Sequence, residues 1–174
     1  MLGSLRTIAI LNAAIWFGSV IFFTFAAAPT FFSDEMTRLL GRPHAGAAAQ
    51  LMVHRYFVVQ IWCAGLALAH LIAEWLYSGR PLQRLRLLIL MFLFVIGLLG
   101  GYVLQPRMKE LHLKKYAVQT SPEVKASANR SFSILHGTAM AMNLLVIAGV
   151  LVYLWDVTKP VNTARFASVN RFTT

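Results

Sequence analysis

Four apolar stretches, residues 8–32, 51–77, 82–104 and 132–155, take up most of this 174-residue chain. Each reaches or exceeds the ~20 residues that cross a ~30 Å hydrocarbon core, and buried helices of water-soluble domains rarely run so long without charge. The membrane is therefore the expected solvent. Lipid offers no partner to a free backbone N–H or C=O, so each stretch must form a helix that bonds internally. The fold expected is all-α: a polytopic membrane protein built as a four-transmembrane-helix bundle with short interfacial helices. Residues 1–158 are expected to form that single domain, and 159–174 a polar, basic C-terminal tail.

Composition narrows the partners. A 58% share of hydrophobic residues exceeds the ~45 to 50% of soluble domains, and 174 residues leave no room for a second, aqueous domain. The net charge of +10 could point to nucleic acid, but the Lys and Arg residues are spread over the ends of four spans and lack a basic module interleaved with aromatics. The partners expected are the lipid bilayer, its anionic lipids and other membrane subunits, with no nucleic acid. Cys63 is the single cysteine, so an internal disulfide is excluded. Arg6, an apolar run and Ala26, Ala27 and Ala28 imitate a signal peptide, but the run exceeds a signal core of about 7 to 15 residues. A retained first span is expected.

Local signals divide the chain further. Ser33, Asp34 and Glu35 make a helix cap with acidic residues in the first turn, and Gly41 stops that helix, which predicts a short interfacial helix over 34–40. Pro43 then suits the first turn of a long helix running to Tyr77, with Ala45, Ala49 and Gln50 projecting beyond the lipid. Span three is expected to end at Leu104, before an amphipathic surface stretch opened by Pro106. Ser121, Pro122 and Glu123 start the last long helix. Spans one and three thus read as simple crossings, two and four as longer helices. Arg55 with Tyr56 and Phe57 corresponds loosely to Arg130 with Phe132, a pattern that either duplication or shared interface chemistry explains. Small-residue faces for close packing are expected at Ala14 and Gly18, at Gly65, Ala69 and Ala73, at Gly97 and Gly101, and at Gly137 and Ala141. Basic residues nearly balance on the two sides; Arg80, Arg84 and Arg86 in one short loop favour cytoplasmic termini.

Polar groups at membrane depth are costly without partners and are the first candidates for function. His54 and His136 lie at matched depth on two helices, which permits axial ligation of a haem b or part of a metal site; the bland alternative gives them backbone, water or lipid partners. Arg55 and Arg130 could hold an anionic solute or a lipid headgroup, or snorkel to the interface. His136, Met140 and Asn143 share one face of span four by their spacing. His70 and Glu74, four residues apart, are expected to pair. No catalytic motif is recognisable.

Ile15, Trp16, Phe17 and Gly18, the run 22–31 with Pro29 and Thr30, Arg55, Tyr56 and Phe57, Pro106, and residues 132–137 with Asn143 carry a resemblance. The chain resembles the four-helix integral membrane family of unknown function that includes transmembrane protein 205. The resemblance implies a four-span membrane protein with Arg55, Pro106, His136 and Asn143 as positions to test, and it implies no reaction. The readings that remain are three: a non-catalytic accessory or structural subunit of a membrane assembly, a haem- or metal-binding redox protein using His54 and His136, and a small transporter for an anionic or lipid-like solute.

Overall fold

A computed structural model of the protein describes residues 2–78 and 81–159. The basic tail beyond Lys159 and the loop residue Arg80 lie outside the described residues. Every regular element is helical: α1 (Leu2–Phe22), a π-helical segment (Phe23–Ala27), α2 (Ala28–Phe31), α3 (Asp34–Ser78), α4 (Arg84–Leu99), a second π segment (Gly100–Leu104), α5 (Gln105–Tyr116) and α6 (Pro122–Thr158). Four continuous rods, Gly3–Phe31, Asp34–Tyr77, Arg84–Tyr116 and Pro122–Thr158, are long and apolar enough to cross a membrane. The protein is a multi-pass, four-helix membrane bundle.

The rods form a closed square. α1 packs against α3 and α6, and α4 packs against the same two. The buried stripe of α1 runs through Ala9, Ala13, Trp16 and Val20, alternating four and three residues apart as one helical face requires. Small residues let the neighbouring helices approach. A Cβ on Gly97 would touch the Ile61 side chain at 3.4 Å, and one on Gly149 would come within 2.8 Å of Leu93. The small faces expected on spans one and four are different: Ala14, Gly18, Gly137 and Ala141 are exposed, and a Cβ at Gly18 or Gly137 would meet nothing within 4 Å. Larger residues on the adjacent stripes, Trp16 and Tyr153 among them, took the core instead.

Both odd-numbered rods carry the same irregularity. Each five-residue π segment ends two residues before a proline, Pro29 or Pro106, and the segments and the prolines are offset along the chain by the same number of residues. The cause is steric: a proline ring inside a helix clashes with the carbonyl four residues back and donates no hydrogen bond. The wider turn relieves this clash. The Ala28 N–H bonds the Phe23 carbonyl and the Gln105 N–H bonds the Gly100 carbonyl, each reaching five residues back. Span three is therefore not a simple crossing that ends at Leu104. Pro106 is absorbed by a π turn, and the rod continues through α5 to Tyr116.

Gly41, at φ 71°, makes the break between the interfacial segment 34–40 and the long helix that contains Pro43. Ser33 Oγ accepts from the Met36 N–H and Ser121 Oγ from the Val124 N–H, capping α3 and α6. The extramembrane part of α3 is not free. Ala45, Ala49 and Gln50 are buried, packed against α5.

The end of the bundle that holds the termini is locked by charge. Arg86 Nε bonds Asp156 Oδ2 at 2.7 Å and its Nη1 bonds Glu74 Oε2 at 3.0 Å, tying α4 to α6 and α3. Glu74 is thus taken by Arg86 and not by His70. Arg6 on α1 donates to the backbone carbonyls of Thr158 and Lys159.

Candidate functional site

At the other end the four rods part around a cavity of about 320 Å³, within the ~300 to 1,000 Å³ range of ligand pockets. Both π segments contribute to its wall, through Phe23 and Thr24 on one side and Leu104 on the other. Phe57 shows how the shape is set. Its ring lies over the backbone of Gly100, where an added Cβ would come within 2.1 Å of it, so only glycine lets the ring sit there.

The wall is apolar except for Gln50, His136 and one hydrogen-bonded strip. Trp16 Nε1 donates to Gln60 Oε1, Gln60 Nε2 donates to Tyr56 Oη at 2.7 Å, and Tyr56 donates to Asn143 Oδ1 at 2.5 Å. Asn143 Nδ2 then donates to Thr24 Oγ1 at 2.7 Å, and Thr24 donates to the Val20 carbonyl at 2.7 Å. The chain runs in one direction through α1, α3 and α6 and ends on a backbone oxygen. Every link uses one donor and one acceptor, which is how polar groups are held in a low-dielectric interior without a desolvation penalty. Phe23 stacks on Tyr56 at 4.0 Å between ring centroids, shielding the strip.

One side is open. Of the lining residues, Pro29 and Phe32 after the first π segment and His136 and Met140 on α6 are exposed, whereas Tyr56, Gln60 and Leu104 on the opposite wall are buried. The mouth therefore lies between the end of the first rod and α6. From Gln60 to Gln50 the wall rises about 15 Å along α3, from near the membrane midplane to headgroup level. His136 is held at this mouth, stacked on Phe132 at 6.1 Å and edge-on to Phe32 at 6.5 Å.

The residues singled out in the sequence divide clearly. His136, Met140 and Asn143 all line the cavity, as their shared face implies. His54, Arg55 and Arg130 are exposed and outside its wall. The neighbour of Arg55, Tyr56, is the residue that faces inward. Pro106 acts through the backbone, as the cause of the second π segment. Among the described residues no group of three or more His, Cys, Asp or Glu side chains could hold a metal ion.

Sequence reasoning missed Trp16, Thr24, Gln50 and Gln60. Gln60 was visible as an amide inside span 51–77, and it stands four residues after Tyr56 on one helical face. His112, which stands in a segment that reads as ordinary surface, is buried and its Nε2 donates to the Pro43 carbonyl at 3.0 Å. Its ring occupies the space that a side chain at Gly46 would need.

No curated protein and no solved structure matches the chain. Residues 11–117, which include both π segments, both prolines and the α3 wall of the cavity, match a family described as a domain of unknown function (DUF4149). That segment is more than half of the protein, and the chain belongs to the DUF4149 family.

Proposed function

We propose that this membrane protein works by binding and not by chemistry, taking the tail of a single-chain, lipid-like amphiphile from the surrounding bilayer into the open cavity. The observation that carries this reading is the combination of an apolar wall with a mouth that faces sideways between the first rod and α6. A mouth at that depth meets acyl chains before it meets water. Its size suits one chain better than two. Each side chain of the hydrogen-bond strip already has protein partners, with one N–H of Gln60 and one of Asn143 left over, so the strip mainly supports shape and leaves most of the affinity to apolar contact. Native mass spectrometry of the purified protein tests the reading. A retained adduct of lipid mass, lost when Ala139→Phe fills the cavity, is the expected result; an adduct-free wild type, or an adduct indifferent to Ala139→Phe, contradicts it. Capture of a partner helix in the groove would contradict it equally.

A second reading has its own support. The outward faces with Ala14 and Gly18 and with Gly137 and Ala141 are the kind that let another helix approach closely, which fits an accessory or structural subunit of a larger membrane assembly. Gly18→Leu and Gly137→Leu should then release associated chains in mild detergent; a lone wild-type monomer counts against the assembly. Cytoplasmic termini belong to the same proposal, supported by Arg84 and Arg86 at the start of α4. Labelling of single cysteines placed in the 117–121 loop, from outside intact cells, checks that orientation. Kinship with the group that includes transmembrane protein 205 is likewise proposed, and it rests in part on residues 132–143, beyond the matched segment.

A further inference from the structure

A second cavity, of about 250 Å³, lies directly outside the first and shares Phe32, Gln50 and Phe132 with it. Its chemistry is opposite. The walls carry Arg42, Lys115, His112 and Asp34, contributed by the interfacial start of α3 and by α5. Arg42 and Lys115 outweigh the single carboxylate of Asp34, and among the described residues neither cation makes an ion pair. Lys115 rests over the Tyr116 ring at 5.3 Å. His112 has its Nε2 proton committed to the Pro43 carbonyl, which fixes its ring as part of the wall.

Gln50 stands at the junction of the two cavities. It is 6% exposed, and its Oε1 has no hydrogen-bond partner, although its backbone carbonyl accepts from Gln105 Nε2. A buried acceptor with no protein partner is uncommon, and it calls for a donor from a water or from a molecule that enters. At roughly 20 Å from the midpoint of its span it lies at the depth of lipid headgroups.

From these observations we infer that the outer cavity is the headgroup site for the amphiphile whose tail enters the inner one: an anionic group held by Arg42 and Lys115, with an adjacent hydroxyl donating to Gln50 Oε1. This inference rests on the tail-binding reading and adds ligand class to it. The geometry matches an anionic lysolipid, in which a hydroxyl sits between the chain and the phosphate. Phe32 and Phe132, which line both cavities, border the junction with Gln50.

Affinities of the full-length protein for lysophosphatidylglycerol and for lysophosphatidylcholine with the same chain decide the matter, measured by native mass spectrometry in detergent. The wild type should prefer the anionic lipid about tenfold, the gain expected of one well-placed charge-assisted contact. Arg42→Gln with Lys115→Gln should abolish that preference, weakening the anionic lipid about tenfold more than the zwitterionic one, whose phosphate carries its own choline cation. Gln50→Leu should weaken both lipids, since both carry the hydroxyl. Equal affinity for the two lipids in the wild type, or an intact preference in the doubly substituted variant, would overturn the headgroup site and leave tail binding standing. Retention of neither lipid would overturn tail binding itself and the headgroup site with it. Inorganic phosphate binding as tightly as the anionic lipid would assign the outer cavity to a soluble anion and overturn the lipid assignment.

Discussion

The two ends of this bundle solve the same packing problem in opposite ways. Near the termini the helices are regular, their contacts are made by Ala9, Ala13, Ala64 and Ala67, and Arg86 bolts three of the four rods together through Glu74 and Asp156. At the far end each odd rod is widened by a π turn before its proline, and the helices separate around a cavity instead of closing on one another. Lipid supplies little hydrophobic drive for helix association, so close packing and polar contacts must hold the closed end. That anchorage is what lets the other end stay open without falling apart. One end carries stability, the other carries the site.

Substitutions can break this contrast, beginning with the strongest effect. Arg86→Ala leaves Glu74 without its cation and Asp156 with only Lys159 at 3.8 Å, and should cost about 3 kcal/mol, towards the low end for a broken buried pair because both carboxylates are partly exposed. Thermal unfolding in detergent measures it, and lipid retention below the melting temperature should not change. Asn143→Ala cuts the hydrogen-bond strip at two links and leaves the Tyr56 O–H without an acceptor, although its oxygen still accepts from Gln60, costing about 2 kcal/mol. A double-mutant cycle with Thr24→Ala should be non-additive, because Thr24 accepts from the same Asn143.

Only part of this contrast could be read from the sequence. The length and apolarity of the four stretches were enough for the bundle, and Gly41, Ser33 and Ser121 marked the helix breaks and caps, because those signals are local. The course of span three was not legible. A proline after an apolar run reads as a helix end, and only the packed rod reveals that a π turn carries the helix past Pro106. Of the cavity, His136, Met140 and Asn143 were visible through their shared face. Tyr56, Gln60 and Thr24 emerge only once three helices meet, since nothing along one chain segment states which polar group faces which. Charge misled for a related reason: Arg55 and Arg130 are conspicuous beside aromatics, while the cations that border a cavity, Arg42 and Lys115, sit in segments that look like ordinary surface.

Smaller effects sharpen the comparison at the open end. Gly100→Ala should push the Phe57 ring off its seat, costing about 1.5 kcal/mol and narrowing the cavity, so lipid retention falls together with melting temperature. Phe57→Leu should restore part of the stability. Pro106→Ala is expected to have the least effect on stability, within about 0.5 kcal/mol or slightly stabilising, because a helix-interior proline is replaced by a residue with an N–H. Its mark should be on the site: the π turn can regularise, the wall moves inward, and lipid retention drops. Hydrogen exchange at residues 100–106 would report that change directly.

Occupation of the open end can be read from one tryptophan. Trp16 is fully buried and bonded to Gln60 at the base of the cavity, whereas Trp62, Trp75 and Trp155 are exposed and can be replaced by phenylalanine. Fluorescence of that Trp16-only protein, titrated with a single-chain lipid brominated near the end of its tail, measures whether a chain reaches the cavity floor. Saturable quenching that disappears with Ala139→Phe is the result this account predicts. Quenching that is absent, or that is the same with and without Ala139→Phe, would contradict it.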